Sequence, residues 1–133
     1  MSITEPSAAL RARLVAYTGL TALIATRVFP QALPQGTLKP CLYYEQADTE
    51  TLPAMGTDDG LESSYFEITV VADSYASMVA TRRQVRKAVQ RWRGTNDGFT
   101  IHDCFVDGTD EAYSDQSSEY IGGVQIKLIH QTT

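Results

Sequence analysis

A chain of 133 residues with 43% hydrophobic and 20% charged side chains is long enough for one domain with a buried core and too apolar to be disordered. Its net charge of −5 argues against a dedicated nucleic-acid binder, which carries a basic surplus over its whole surface. No apolar run approaches the length of a membrane span, and Cys41 and Cys104 are too few for a disulfide framework and read as small buried hydrophobes.

Met1 to Ser7 is polar and leads into an amphipathic stretch carrying Arg11 and Arg13, which is not the pattern of a secretory signal, so export by that route is not expected. From Glu5 to Tyr17, Leu10, Leu14 and Tyr17 recur at helical spacing, with Pro6 suited to the first turn and Gly19 to a stop. Leu20, Leu23 and Ile24 add a turn or two of helix, and Val28 and Phe29 lead into an extended segment. Pro30, Pro34, Gly36 and Pro40 exclude regular structure from the connection that follows, because proline removes a donor and fixes φ. Leu42 to Gln46 reads as a short aromatic strand. Ala47 to Ser63 combines Pro53, Gly56 and Gly60 with Asp48, Glu50, Asp58, Asp59 and Glu62, and predicts a seventeen-residue acidic loop.

Tyr65 to Ala72 alternates, with Phe66, Ile68 and Val70 on one face and Tyr65, Glu67 and Thr69 on the other, as a half-buried strand requires. Ser74 to Arg93 predicts the long helix: Ser74 caps it, and Met78, Val79, Val85, Val89 and Trp92 form its apolar stripe. Gly94 through Gly98 ends it. Phe99 to Phe105 is expected to be a strand, followed by an acidic loop over 107–119 that holds Asp107, Asp110, Glu111, Asp115 and Glu119. In the closing strand, Tyr120 to about His130, Val124, Ile126 and Leu128 alternate with Gln125, Lys127 and Ile129, and Gly122 and Gly123 mark a bulge or a close approach of backbones. The order α-β-β-α-β-β predicts a single α+β domain over residues 1–133, with an about four-stranded, mostly antiparallel sheet and helices packed on one face.

Catalytic chemistry finds little support. His102 and Cys104 are expected on one side of a strand and Asp103 on the other, but a nucleophilic pair also needs an orienting group and an oxyanion hole, and neither can be identified. Cys41, Cys104, His102 and His130 lack the local pair spacing of a zinc site. Asp107 to Asp115 holds four carboxylates without the placement of a calcium loop. No glycine-rich phosphate cradle occurs, so no cofactor is expected.

Charge is sorted along the chain. Residues 74–96 hold six cations, Arg82, Arg83, Arg86, Lys87, Arg91 and Arg93, and no anion, whereas the other 110 residues hold five basic and sixteen acidic side chains, a balance of −11. Arg83, Lys87 and Arg91 fall four apart on the outer face, and Arg82, Arg86 and Arg93 flank the stripe, their stems covering apolar surface. Such a surface can satisfy itself by head-to-tail contact between identical copies, with the basic helix against the 47–63 or 107–119 acidic segment of a neighbour. Aromatic stacking residues are not interleaved with the six cations, since Trp92 belongs to the apolar stripe, which removes the stacking platform of a single-strand nucleic-acid binder.

An ordered series of short segments runs through Leu10-Arg11-Ala12-Arg13-Leu14, Leu20-Thr21-Ala22-Leu23-Ile24, Arg27-Val28-Phe29-Pro30, Pro34-Gln35-Gly36 and Pro40-Cys41-Leu42-Tyr43-Tyr44. Together with the strand from Tyr65, the Asp73-Ser74-Tyr75 turn, the long helix and the closing strand, it resembles the tail completion, or tail terminator and tail-to-head joining, proteins of long-tailed bacteriophages, over roughly residues 8 to 131. The resemblance implies a structural virion protein without a catalytic site, made in the bacterial host cytoplasm and located in the tail and neck of the particle. It implies a ring, commonly of six subunits, between the tail tube protein and a head-completion or neck connector protein, with DNA passing through the lumen without specific binding and no contact with membrane. Cell-encoded particles such as gene transfer agents and contractile injection systems use similar parts. The alternative is a small non-catalytic adaptor, or another head-tail connector component, acting as a monomer or dimer.

Overall fold

The computed structural model of the chain describes residues 5–54, 57–96 and 99–131. Three helices, α1 (Pro6–Ala16), α2 (Thr18–Ile24) and α3 (Tyr75–Val89), accompany six strands: β1 (Val28–Pro30), β2 (Cys41–Ala54), β3 (Thr57–Ala72), β4 (Gly94–Asn96), β5 (Phe99–Ser114) and β6 (Glu119–Gln131). They form one sheet in the order β1-β2-β3-β6-β5-β4. Only the β1–β2 contact is parallel, and the others are antiparallel. The α+β class and the helices on one side agree with the sequence expectation. The expected four strands become six because two three-residue edge strands are too short to show a period.

The two segments expected to be acidic loops are instead long hairpins. β2 and β3 pair from Cys41↔Val71 to Ala54↔Thr57, which places 48–52, 54, 57 and 61–63 in ladder positions, and β5 and β6 pair as far as Ser114↔Glu119, which leaves only 115–118 as a turn. Composition read these stretches as loops because Pro, Gly and Asp are poor strand formers. Pairing of the backbone prevails, with bulges at Gln46/Asp48 and Leu52/Ala54 absorbing the irregularity. Gly56 and Gly98 lie outside the described residues.

Alternation in the long strands sorts the core. Phe66, Ile68 and Val70 on β3 meet Val124, Ile126 and Leu128 on β6, all buried beneath α3, where each such side chain contributes roughly 1.5–3 kcal/mol. Ser74 caps α3, its Oγ accepting the Ser77 N–H at 3.1 Å. The inward face of α3 is Met78, Thr81, Val85, Ala88 and Val89, with Val79 and Trp92 only partly buried. Helix α3 ends at Val89, short of the expected Arg93. Gln90 is extended, Arg91 takes φ 59°, and the Arg91 N–H donates to the Cys104 carbonyl at 2.7 Å, so docking onto β5 stops the helix before Gly94. Gly19 is likewise not a stop. The break falls at extended Tyr17, and Gly19 lies inside α2, where any Cβ would run into the Gln84 side chain of α3.

Arg13 joins the helices from the other side. Its Nε donates to the Ala88 carbonyl at 2.7 Å while the guanidinium lies 5.4 Å from the Tyr17 ring centroid and 6.0 Å from that of Trp92. On the sheet, β1 reaches only to Tyr44 of β2 and β4 only to Ile101 of β5. Most of β2 and of β5 therefore runs as an open edge.

Candidate functional site

The six cations of residues 74–96 divide into two groups. Arg82 Nη1 reaches the Glu111 carboxylate and the Asp110 carbonyl, each at 3.0 Å. Arg91 and Arg93 converge on Asp103, at 2.9 and 3.5 Å, and the Arg91 guanidinium lies 4.8 Å from the Phe105 ring centroid. Both follow α3, so neither belongs to its outer face. Arg83, Arg86 and Lys87 remain: all three are exposed on α3, they line one shallow depression with Gln90, and none has an ion-pair partner among the described residues. The interface set expected from sequence thus separates into three residues that hold the monomer together and three that face solvent.

The acidic residues separate in the same way. Glu119 contacts Lys39 Nζ directly, and Asp73 adds to the pair at 3.7 Å. The hydrogen bond to Glu119 holds the Lys39 ammonium above its ordinary pKa, and the same bond holds the Glu119 carboxyl below its own. Glu111 is taken by Arg82 and by the Tyr75 hydroxyl, which donates to it at 3.0 Å; that carboxylate raises the phenol pKa. Glu62 is buried in β3. Asp107, Asp110 and Asp115 are exposed along the β5–β6 hairpin, Asp110 accepting from Gln125 Nε2 at 3.3 Å. Asp48 and Glu50 occupy register positions in β2, and Asp58 and Asp59 lie within β3. Sequence reading missed Glu45, exposed on β2 and directly opposite Glu67 of β3. Like charges so placed destabilise a sheet, and alternation along both strands could have found them only with the register in hand.

Beside the basic face is an aromatic cleft. Tyr75, Met78, Glu111, Ala112, Tyr113 and Tyr120 surround an open space of about 260 Å³ where α3 leaves the helix side of the β5–β6 hairpin uncovered. Tyr120 stacks edge-on with Tyr75 at 6.0 Å and tilted with Tyr113 at 4.7 Å, while Tyr75 and Tyr113 stay 50% exposed. A second depression, along Tyr75, Ala76, Val79 and Ala80, links the cleft to Arg83.

Nothing in this arrangement supports nucleophilic or metal chemistry. A bulge at His102, between the pairs Ile101↔His130 and Asp103↔Ile129, turns His102 to solvent while Cys104 points into the core. The two therefore do not share a side, contrary to the regular alternation assumed from sequence. Burial pushes the Cys104 thiol up to about 12, and burial also raises that of Cys41, so neither supplies a thiolate at neutral pH. Among the described residues no group of His, Cys, Asp and Glu could hold a metal ion, and no helix is long and apolar enough to cross a membrane. Native protein mixed with an aromatic disulfide reagent at pH 8 is expected to show no labelling over minutes, and both thiols are expected to react at once in denaturant. Rapid labelling of the native protein would contradict the burial of these residues.

No curated protein matches the sequence. Among solved structures, a chain from the virion of a native gene transfer agent particle superposes with a TM-score of 0.74, covering 96% of this chain and 95% of that one at 18% identity. At that identity the likeness shows a common fold. The family model described as tail completion protein gp17 matches residues 8–130. A match of that extent takes in α2, α3, all of α1 but its first two residues and nearly the whole six-stranded sheet, and on it the chain belongs to the tail completion protein gp17 family.

Proposed function

We propose that the protein is a structural component of a phage-type particle that closes the end of the tail tube as a ring of six copies and joins the tail to the head. Tail tube protein lies on one side of the ring, a head-completion or neck connector protein on the other, and DNA passes through the hole. The family match over residues 8–130 carries the assignment, and the similar fold of a chain in a gene transfer agent virion supports a place in such a particle. The ring has a physical basis in the charge layout. A cyclic ring repeats one heterologous contact, so each subunit must offer two unlike, complementary patches. Three cations without intrachain ion pairs on α3 and the open acidic edge of β2 meet that requirement. Carboxylates facing the hole would repel phosphate and keep DNA moving. The acidic hairpins 47–63 and 107–119 and the Glu45/Glu67 pair are the candidates for that role.

Purified protein viewed by negative-stain electron microscopy is expected to show annular particles, with a hexamer as the main species in native mass spectrometry. A monomer or a two-fold dimer at every concentration, with no capping of tubes of the cognate tail protein, would replace the ring with a small adaptor.

A further inference from the structure

Two apolar features of the surface, both left uncovered by the described residues, sit at one end of the sheet. The first is Leu38, 73% exposed in the connection before β2. It is held in place by its neighbour Lys39, whose ammonium contacts Glu119 and Asp73. The second is the aromatic cleft, with Tyr75 and Tyr113 half exposed at its rim. Leu38, Tyr75 and Tyr113 are three of the four exposed large hydrophobic side chains among the described residues. The register places them at the same level, since Cys41 pairs with Val71, Ala72 with Tyr120, and Tyr120 with Tyr113. Leu38 belongs to the connection between β1 and β2, the strands at one side of the sheet, and the cleft lies toward β5.

Charge follows the same layout. From this end β2 and α3 run in the same direction, because the α3 C-terminus docks at Cys104, far along β5 from Tyr113. Along α3, Arg83 stands about 12 Å and Lys87 about 18 Å from Tyr75 at 1.5 Å per residue. Along β2, Glu45 stands about 13 Å from Cys41 at some 3.3 Å per residue. Each flank therefore presents an apolar feature near the end and charge further along, basic on α3 and acidic on β2, where Glu45 is exposed and Asp48 and Glu50 follow in register.

We propose that Leu38 of one copy seats in the Tyr75–Met78–Tyr113–Tyr120 cleft of the next, while the open acidic edge of β2 meets Arg83, Arg86 and Lys87. The occupant of the cleft is thus a second copy of this chain. The proposal rests on the ring reading and specifies its contact: burying a leucine and two tyrosine faces supplies attraction, and the ordered charges fix the direction of docking.

The test uses full-length Leu38→Asp and a double variant, Leu38→Cys with Tyr113→Cys. Because Leu38 is mostly exposed, Leu38→Asp is expected to melt like the wild-type monomer while raising the concentration at which copies associate about 100-fold. The double variant, oxidised mildly after assembly, is expected to give a ladder of disulfide-linked oligomers, whereas either single variant gives none. Native Cys41 and Cys104 are buried and do not contribute. If wild type assembles and Leu38→Asp assembles at the same concentration, or the double variant assembles without a ladder, the cleft is not the seat and the ring reading survives. If wild type never associates, the ring reading falls and this contact with it.

Discussion

Replacing Arg83, Arg86 and Lys87 together by glutamate is expected to leave a folded monomer that no longer forms rings. The three side chains are exposed and have no ion pair among the described residues, so each loss alone is worth about ±0.5 kcal/mol, and reversal at Arg86 and Lys87, in the last turn of α3, adds roughly 0.3–1 kcal/mol each against the helix dipole, which a folded monomer tolerates. At a subunit contact the reversed charges would face the acidic edge of β2, and such like-charge juxtaposition costs several kcal/mol, raising the association midpoint by about a thousandfold or more. Light scattering against concentration reads the midpoint, and circular dichroism confirms the fold. Adding Glu45→Lys to the reversed chain is expected to restore part of the assembly, which an unspecific charge effect would not do. Arg82→Ala supplies the contrast. It removes the pair with Glu111 inside the monomer, worth under about 1 kcal/mol at that exposure, and is expected to lower the melting temperature slightly and leave the assembly midpoint in place. Rings formed by the triple variant at the wild-type concentration would remove α3 from the interface.

The division of the six cations shows where sequence reading reaches its limit in this protein. Six positive charges within residues 74–96 are visible without coordinates, as are the Ser74 cap and the buried stripe of Met78, Val85 and Val89, because all follow from a helical period of 3.6. Which cations are free depends on strands distant in sequence. Asp103 captures Arg91 and Arg93 only because the helix breaks at Gln90 and docks on β5, and Glu111 reaches Arg82 only because the 107–119 segment is a strand pair and not a loop. The two hairpins were illegible for a related reason. Local propensity for Asp, Gly and Pro opposes strand formation, and what overrides it is the satisfaction of backbone donors and acceptors by a partner strand, which no short window reveals. The aromatic cleft was equally hidden, since Tyr75, Tyr113 and Tyr120 meet only once β6 has folded back on β5 and α3 crosses them.

Gly122→Ala is expected to destabilise the monomer by about 1–3 kcal/mol, the usual cost of overpacking a filled site. Gly122 pairs in regular register with Val70 and Glu111 and is not among the described glycines with positive φ, which are Gly36 and Gly94. Of the two roles its sequence position allowed, a bulge or a close approach, the structure shows the second. A Cβ there would stand 2.5 Å from Met78 Sδ, 3.1 Å from Met78 Cγ and 3.3 Å from Arg82 Cδ. Met78 is buried against β6 but also lines the cleft, so admitting the methyl must push its thioether toward that space or lift α3 from β6. The consequence reaches the interface, because Met78 lines the cleft. A double-mutant cycle isolates the contact. Met78→Ala alone is expected to cost roughly 2–5 kcal/mol through the cavity it leaves, whereas on the Gly122→Ala background the added methyl enters that cavity and the two penalties combine to less than their sum by 1 kcal/mol or so. Denaturant unfolding of the four proteins measures all the terms. Strict additivity would mean that helix and strand are not in contact at this crossing, and the placement of α3, with the basic face and the cleft it carries, would have to be redrawn.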